Sequence, residues 1–181
     1  MDHVCAAGFE DSSGGVRGSH DAVQRRSGER LDRTMIKIPA SLLRQIYDHT
    51  EESYPYECCG LLIGTTSEDK THTVHAFRRC KNLNKERAQD RYDMDPLDML
   101  RAEREFEKSP WDIIGIYHSH PDHPSRASQT DTDRGWPDYS YVIISVQKGK
   151  VAGAQSWVLN EAEKKFYEEP LVTVTEEGDS K

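Results

Sequence analysis

The stretch Ile113-Ile114-Gly115-Ile116-Tyr117-His118-Ser119-His120-Pro121, followed six residues later by Ser128-Gln129-Thr130-Asp131, decides the reading of this chain. Ile113 to Tyr117 are apolar enough for a central strand. On an extended backbone residues i and i+2 share a face, so His118 and His120 can aim both imidazoles at one point. Two histidines are half of a zinc site. Asp131, across a loop that can fold back, would supply a third ligand and leave the fourth position to water, as catalytic zinc requires. The same residues have plainer readings. A His-x-His pair also serves as a polar surface or capping feature, and Ser128-x-x-Asp131 has the spacing of a capping box at a helix N-terminus. Both readings can hold together, because a capped turn also fixes side-chain directions.

Working outward, residues 141–146 read as a second central strand, and Lys148-Gly149-Lys150 as a turn into a strand over 151–159. Upstream, Asp95 can cap a helix with Pro96 at its first position and Asp98 in its first turn. Met99, Ala102 and Phe106 form its apolar stripe, and Ser109-Pro110 ends it. Residues 80–93 are polar and irregular. Leu61-Leu62-Ile63 between Gly60 and Gly64 reads as a short buried strand, and residues 71–77 alternate as another. With Ser67-Glu68-Asp69-Lys70 as the turn, they predict a hairpin. Residues 39–53 carry Leu42, Leu43, Ile46 and Tyr47 at helical spacing, with Pro39 in the first turn. The prediction is an α+β fold, a mixed, largely antiparallel sheet flanked by helices.

Amphipathic patterning begins at Met35. Residues 1–34 hold five of the 12 glycines and no period of 2 or 3.6, so they read as a disordered N-terminal extension. The folded domain is expected over 35–175, with 176–181 as a flexible tail. The 181 residues carry Lys+Arg 24 against Asp+Glu 32, a net charge of −8. That balance lacks the clustered basic surface that phosphate binding needs, which argues against nucleic acid as a partner. A mean hydropathy of −0.84 and the lack of a long apolar run predict no membrane span, and hence a cytoplasmic protein. Cys5, Cys58, Cys59 and Cys80 do not make a disulfide framework, and no Cys-x-x-Cys spacing offers a zinc knuckle. Reduced, buried thiols are the expectation. His72 and His75 fall on opposite faces of their strand, and His123 reads as an exposed loop histidine.

Glu57, just before the Gly60 strand, is by itself an ordinary solvated acid. Taken with His118-Ser119-His120-Pro121, six residues, and Ser128-x-x-Asp131, it completes a pattern that resembles the JAMM motif of MPN+ zinc metallopeptidases. The resemblance runs from about Met35 to at least Leu159. Tyr54-Pro55-Tyr56-Glu57-Cys58-Cys59-Gly60-Leu61-Leu62-Ile63-Gly64, Tyr92-x-Met94-Asp95-Pro96 and the run from Tyr139 to Val146 are similar to the short prokaryotic branch, whose members act on ubiquitin-like sulfur-carrier proteins. One departure is Ala127, where the pattern has a proline before the serine.

The resemblance implies the three-layer, cytidine-deaminase-like MPN arrangement. It implies one Zn2+ per chain held by His118, His120 and Asp131, with Glu57 as general base and Ser128 as hydrogen-bond donor to the oxyanion. The implied reaction is hydrolysis of the amide after the C-terminal Gly-Gly of a ubiquitin-like sulfur carrier. An isopeptidase removing a ubiquitin-like modifier from proteins is the alternative, and a non-catalytic MPN scaffold module the third reading. The resemblance also allows a homodimer.

Overall fold

The computed structural model describes residues 34–175. The expected disordered extension and tail, and Cys5, lie outside the described residues, apart from position 34. In chain order the elements are β1 (Met35–Pro39), α1 (Ala40–Ser53), β2 (Cys59–Thr66), β3 (Thr71–Cys80), α2 (Pro96–Phe106), β4 (Asp112–Pro121), α3 (Gln129–Arg134), β5 (Ser140–Gln147), β6 (Lys150–Asn160), β7 (Lys165–Glu169) and β8 (Leu171–Val174). The strands form one sheet in the order β7-β6-β5-β4-β2-β3-β1-β8. Strands β1 and β3, β1 and β8, and β4 and β5 run parallel. The remaining pairs are antiparallel, which is the mixed, largely antiparallel sheet expected.

Side-chain alternation divides the apolar residues between two layers. On one face Leu43 and Ile46 of α1 pack with Ile36, Ile38, Leu62, Val74, Tyr117, Val142 and Ile144. On the other, Ala102 of α2, backed by Met99 and Phe106, packs with Leu61, Ile63, Ile116, Tyr141 and Phe166. The product is three layers, α1, sheet, then α2 with α3. Each fully buried Leu or Ile contributes about 1.5–3 kcal/mol, so central β2 and β4 anchor the structure. Gly60 is required where β2 passes Tyr117, because a Cβ there would lie 2.3 Å from both the Arg78 carbonyl and the Tyr117 ring.

The helix at Pro96 forms as its sequence indicates, with Asp95 accepting from the Leu97 amide at 2.9 Å. The β2-β3 hairpin also forms, and both strands run longer than the apolar cores that announce them. Helix α1 starts one residue later than expected. Pro39 ends β1 in an extended conformation (ψ 137°) and sits at the N-cap without a side-chain cap. Lys148 and Gly149 take positive φ, the twist that a two-residue hairpin turn between β5 and β6 needs.

Strands β7 and β8, unread in the sequence, are consecutive, yet they lie at opposite ends of the strand order. Only Pro170 separates them, and its carbonyl accepts from the Ile36 amide at 3.0 Å. The sheet therefore curls about α1, which touches β1, β3, β5, β6 and β8. No helix among the described residues is long and apolar enough to cross a membrane.

Candidate functional site

Strand β4 stays extended through Pro121, so Ile116, His118 and His120 share the face that carries α2. Register fixes their height, with His118 opposite Cys59 on one side and Ile143 on the other. Ser119 points to the opposite face, where its hydroxyl accepts from the Cys58 amide at 3.0 Å. Downstream, the Ser128 side chain and the Asp131 carboxylate form a capping box on α3. The Ser128 amide and hydroxyl both donate to Asp131 Oδ2 at 2.6 Å, which leaves Oδ1 directed at His118. The two readings of Ser128-x-x-Asp131 thus coexist, since the cap aims the carboxylate.

His118 Nε2 lies 3.1 Å from His120 Nε2 and 3.3 Å from Asp131 Oδ1. His120 Nε2 lies 3.8 Å from Asp131 Oδ2. Tetrahedral coordination with metal–nitrogen bonds near 2.0–2.1 Å separates donor atoms by roughly 3.3–3.4 Å, so these three side chains fit a single small cation. Among the described residues they form the one His/Cys/Asp/Glu cluster of this kind. His120 Nδ1–H donates to the Pro124 carbonyl at 2.9 Å, which leaves Nε2 with its lone pair free, as a metal ligand needs. His118 Nδ1 is buried with no hydrogen-bond partner, and the ring is held instead by Tyr92, 4.8 Å away between centroids.

Burial shapes the charges here. Burial, together with the neighbouring His118, pulls His120 down to about 4. Burial also works against a charged His118, yet the Asp131 hydrogen bond and charge hold it above the ordinary imidazole value. Asp131 is opposed by burial too, but His118 and Ser128 keep it well below the usual carboxylate range. Glu57 is 8% exposed, and burial pushes it up to about 7. His118 lowers it and Asp131 raises it, which marks all three as electrostatic neighbours.

A cavity of about 730 Å3 opens over this cluster, lined by Glu57, His120, Ser128 and Asp131 along with Tyr92, Met94 and Trp136. The irregular segment between β3 and α2 forms one wall. Asn82 organises it, donating to the Glu57 and Arg91 carbonyls at 3.0 Å each and accepting from the Asp93 amide at 3.0 Å. The Glu57 amide donates to the Ala88 carbonyl at 2.6 Å. The structure thus brings together all five residues singled out in the sequence. Three supporting groups escaped that reading: Asn82, the Tyr92 ring and the Pro124 carbonyl. Tyr92 stood within a motif without a role attached to it. A backbone acceptor leaves no trace in residue type.

The thiols of Cys58, Cys59 and Cys80 are free and buried, and burial raises all three, Cys80 to about 12. Such thiols are poor nucleophiles. His72 is buried against the Ser140 hydroxyl at 2.7 Å. His75, on the opposite face, stacks on Trp111. His123 is exposed at the cavity's rim.

Comparison with known proteins adds the following. Residues 39–160 match the family model described as prokaryotic homologs of the JAB domain. A Haloferax volcanii protein named desampylase is 31% identical over 115 residues, covering 61% of this chain and 80% of that protein. A Pyrococcus furiosus protein of the same name is 32% identical over 129 residues, 70% of this chain and 83% of that one. The solution structure of a Desulfitobacterium hafniense protein superposes with a TM-score of 0.69 at 28% identity, covering 81% of this chain and 97% of the other. That of a Salinibacter ruber protein gives 0.61 at 34%, covering 80% and 94%.

Proposed function

Because the chain belongs to the prokaryotic homologues of the JAB domain, we propose that it is a zinc metallopeptidase that hydrolyses the amide after the C-terminal Gly-Gly of a ubiquitin-like sulfur-carrier protein. The observation that carries this reading is the meeting of His118, His120 and Asp131 beside a cavity that Glu57 also lines. His118 Nε2, His120 Nε2 and Asp131 Oδ1 would hold one Zn2+. When bound, zinc supplies Lewis-acid activation of water and of the scissile carbonyl at neutral pH.

The remaining work falls to the chain's own groups. Glu57, raised by burial towards neutrality, takes a proton from the attacking water and delivers it to the departing amine. The glycyl C–N bond breaks, the hydroxyl joins the carbonyl carbon, and the proton goes to nitrogen, with no covalent enzyme intermediate. The Ser128 hydroxyl carries one proton, which points at Asp131 Oδ2. Turned towards the carbonyl, it donates to the oxyanion. Tyr92 and the Pro124 carbonyl hold the two imidazoles in place.

The name desampylase carried by both curated relatives supports a ubiquitin-like substrate class. It also favours a second reading, an isopeptidase that releases such a modifier from proteins. A scaffold role is disfavoured, since the three donor side chains and Glu57 are all present and assembled. The test is intact-mass analysis of a sulfur carrier bearing one amino acid after Gly-Gly, incubated with the zinc-loaded protein. A drop to the bare Gly-Gly mass that chelation blocks is the expected result. An unchanged mass, with zinc bound and an isopeptide conjugate cleaved, moves the assignment to the isopeptidase.

A further inference from the structure

The cavity wall carries three arginines, and they are not equivalent. Arg91 lies 3.6 Å from Asp90 Oδ2 and donates to the Asp90 carbonyl. Arg134 is paired with Asp93. Arg126 lines the same cavity with no hydrogen bond or ion pair to any described residue. Of the lining acids, Asp90 is engaged by Arg87, Asp93 by Arg134, Asp95 by the Leu97 amide and Asp131 by Ser128 and His118, while Glu57 is buried.

The Arg126 side chain is free, but its backbone is anchored on both sides. The Pro124 carbonyl accepts from His120. The Ser125 hydroxyl donates to Gln155 at 2.9 Å, and its carbonyl accepts from Trp157 Nε1 at 2.9 Å. Two residues on, Ser128 is locked in the capping box. An exposed, unpaired guanidinium thus springs from a fixed backbone on the wall of the same cavity, two residues before Ser128.

A guanidinium recognises carboxylate with a rigid two-pronged fork. In a substrate whose acyl side is Gly-Gly, that side presents neither a side chain nor a charge near the scissile bond. On the leaving side, an α-carboxylate stands next to the scissile bond when the leaving group is one residue long. A lysine side chain joined through an isopeptide bond offers none. We propose that Arg126 binds the free α-carboxylate of a single departing amino acid and so makes the enzyme prefer carriers extended by one residue with a free acid end. This rests on the peptidase reading above.

The experiment compares two forms of one sulfur carrier extended by a single alanine after Gly-Gly, one ending in the free acid and one in the carboxamide. The zinc-loaded wild type is expected to favour the acid by about ten-fold in kcat/KM, chiefly through KM, the scale of one charge-assisted pair at a partly solvated site. In Arg126→Ala the ratio should fall to near one, and Arg126→Lys should restore part of it, since lysine keeps the charge without the fork. Cleavage of both forms with a wild-type ratio near one, or with a ratio that survives Arg126→Ala, overturns the inference and leaves the peptidase reading standing. If the wild type cleaves neither form, both fall.

Discussion

Replacing Glu57 by Gln should stabilise the metal-free protein, and by an amount that grows with pH. Burial raises this carboxyl from an ordinary value of 4.5 to about 7. Below pH 4.5 the folded and unfolded chains both hold the proton, and the group imposes no penalty. Between 4.5 and 7 the folded chain keeps a proton that the unfolded chain has lost, so stability falls as pH rises, by at most ~1.4 kcal/mol per pH unit. Above 7 the penalty levels off at roughly 3 kcal/mol, an upper bound on this reasoning. Glutamine fills nearly the same volume and never ionises. At 2–4 °C per kcal/mol for a chain of this size, the melting-temperature gap between Glu57→Gln and wild type should open from near zero at acid pH to roughly 6–12 °C at pH 8. The assay is a pair of thermal melts with chelator present, repeated from pH 5 to pH 8. His118 and Asp131 are common to both proteins, and their coupling to Glu57 is part of the difference, since it already enters the Glu57 value of about 7. A gap that stays constant, or closes as pH rises, would show that burial does not penalise the Glu57 carboxylate and would remove the basis for its action near neutrality.

Metal analysis should find one zinc per chain in the wild type and almost none in His118→Ala; an unaltered content would sink the ligand set. Glu57→Gln should keep its zinc and lose turnover, because the residue is assigned to proton transfer, and loss of metal would instead place it among the ligands. Ser128→Ala should lose about 1 kcal/mol of stability with the helix cap and roughly 10²–10³ in kcat with KM little changed. Stability lost at constant kcat would leave Ser128 a cap and nothing more.

Much of the site was legible because its residues obey short-range rules. His118 and His120 share a face by strand parity, and the Ser128-Asp131 spacing is a capping box. Asp95 and Pro96 mark a helix start for reasons local to the backbone. The edge strands were not legible: β8 exposes Val172 and Val174, so burial imposes no alternation there, and β7 is five residues long. Pro39 misled by one position, because a fixed φ suits the end of an extended segment as well as a first helical turn. The clamp by Asn82 was invisible for another reason. Its partners are backbone groups of residues 57, 84, 91 and 93, and contacts of that kind depend on the path of the chain and not on residue type.

Pairing along β2 shifts register twice, against β4 between Leu62 and Ile63, where Ile114 of β4 is the extra residue, and against β3 between Ile63 and Gly64, where His75 of β3 is. Both lie past the half of the strand that faces His118. A bulge absorbs a residue locally and disrupts the ladder there, whereas a one-residue shift of β4 in the regular half would turn both imidazoles towards α1. The two halves therefore differ in what they tolerate from an inserted or deleted residue. Past Ile63 the pairing already absorbs an extra residue on each neighbouring strand, while from Cys59 to Leu62 the unbroken ladder holds β4 at the height that brings His118 and His120 to Asp131.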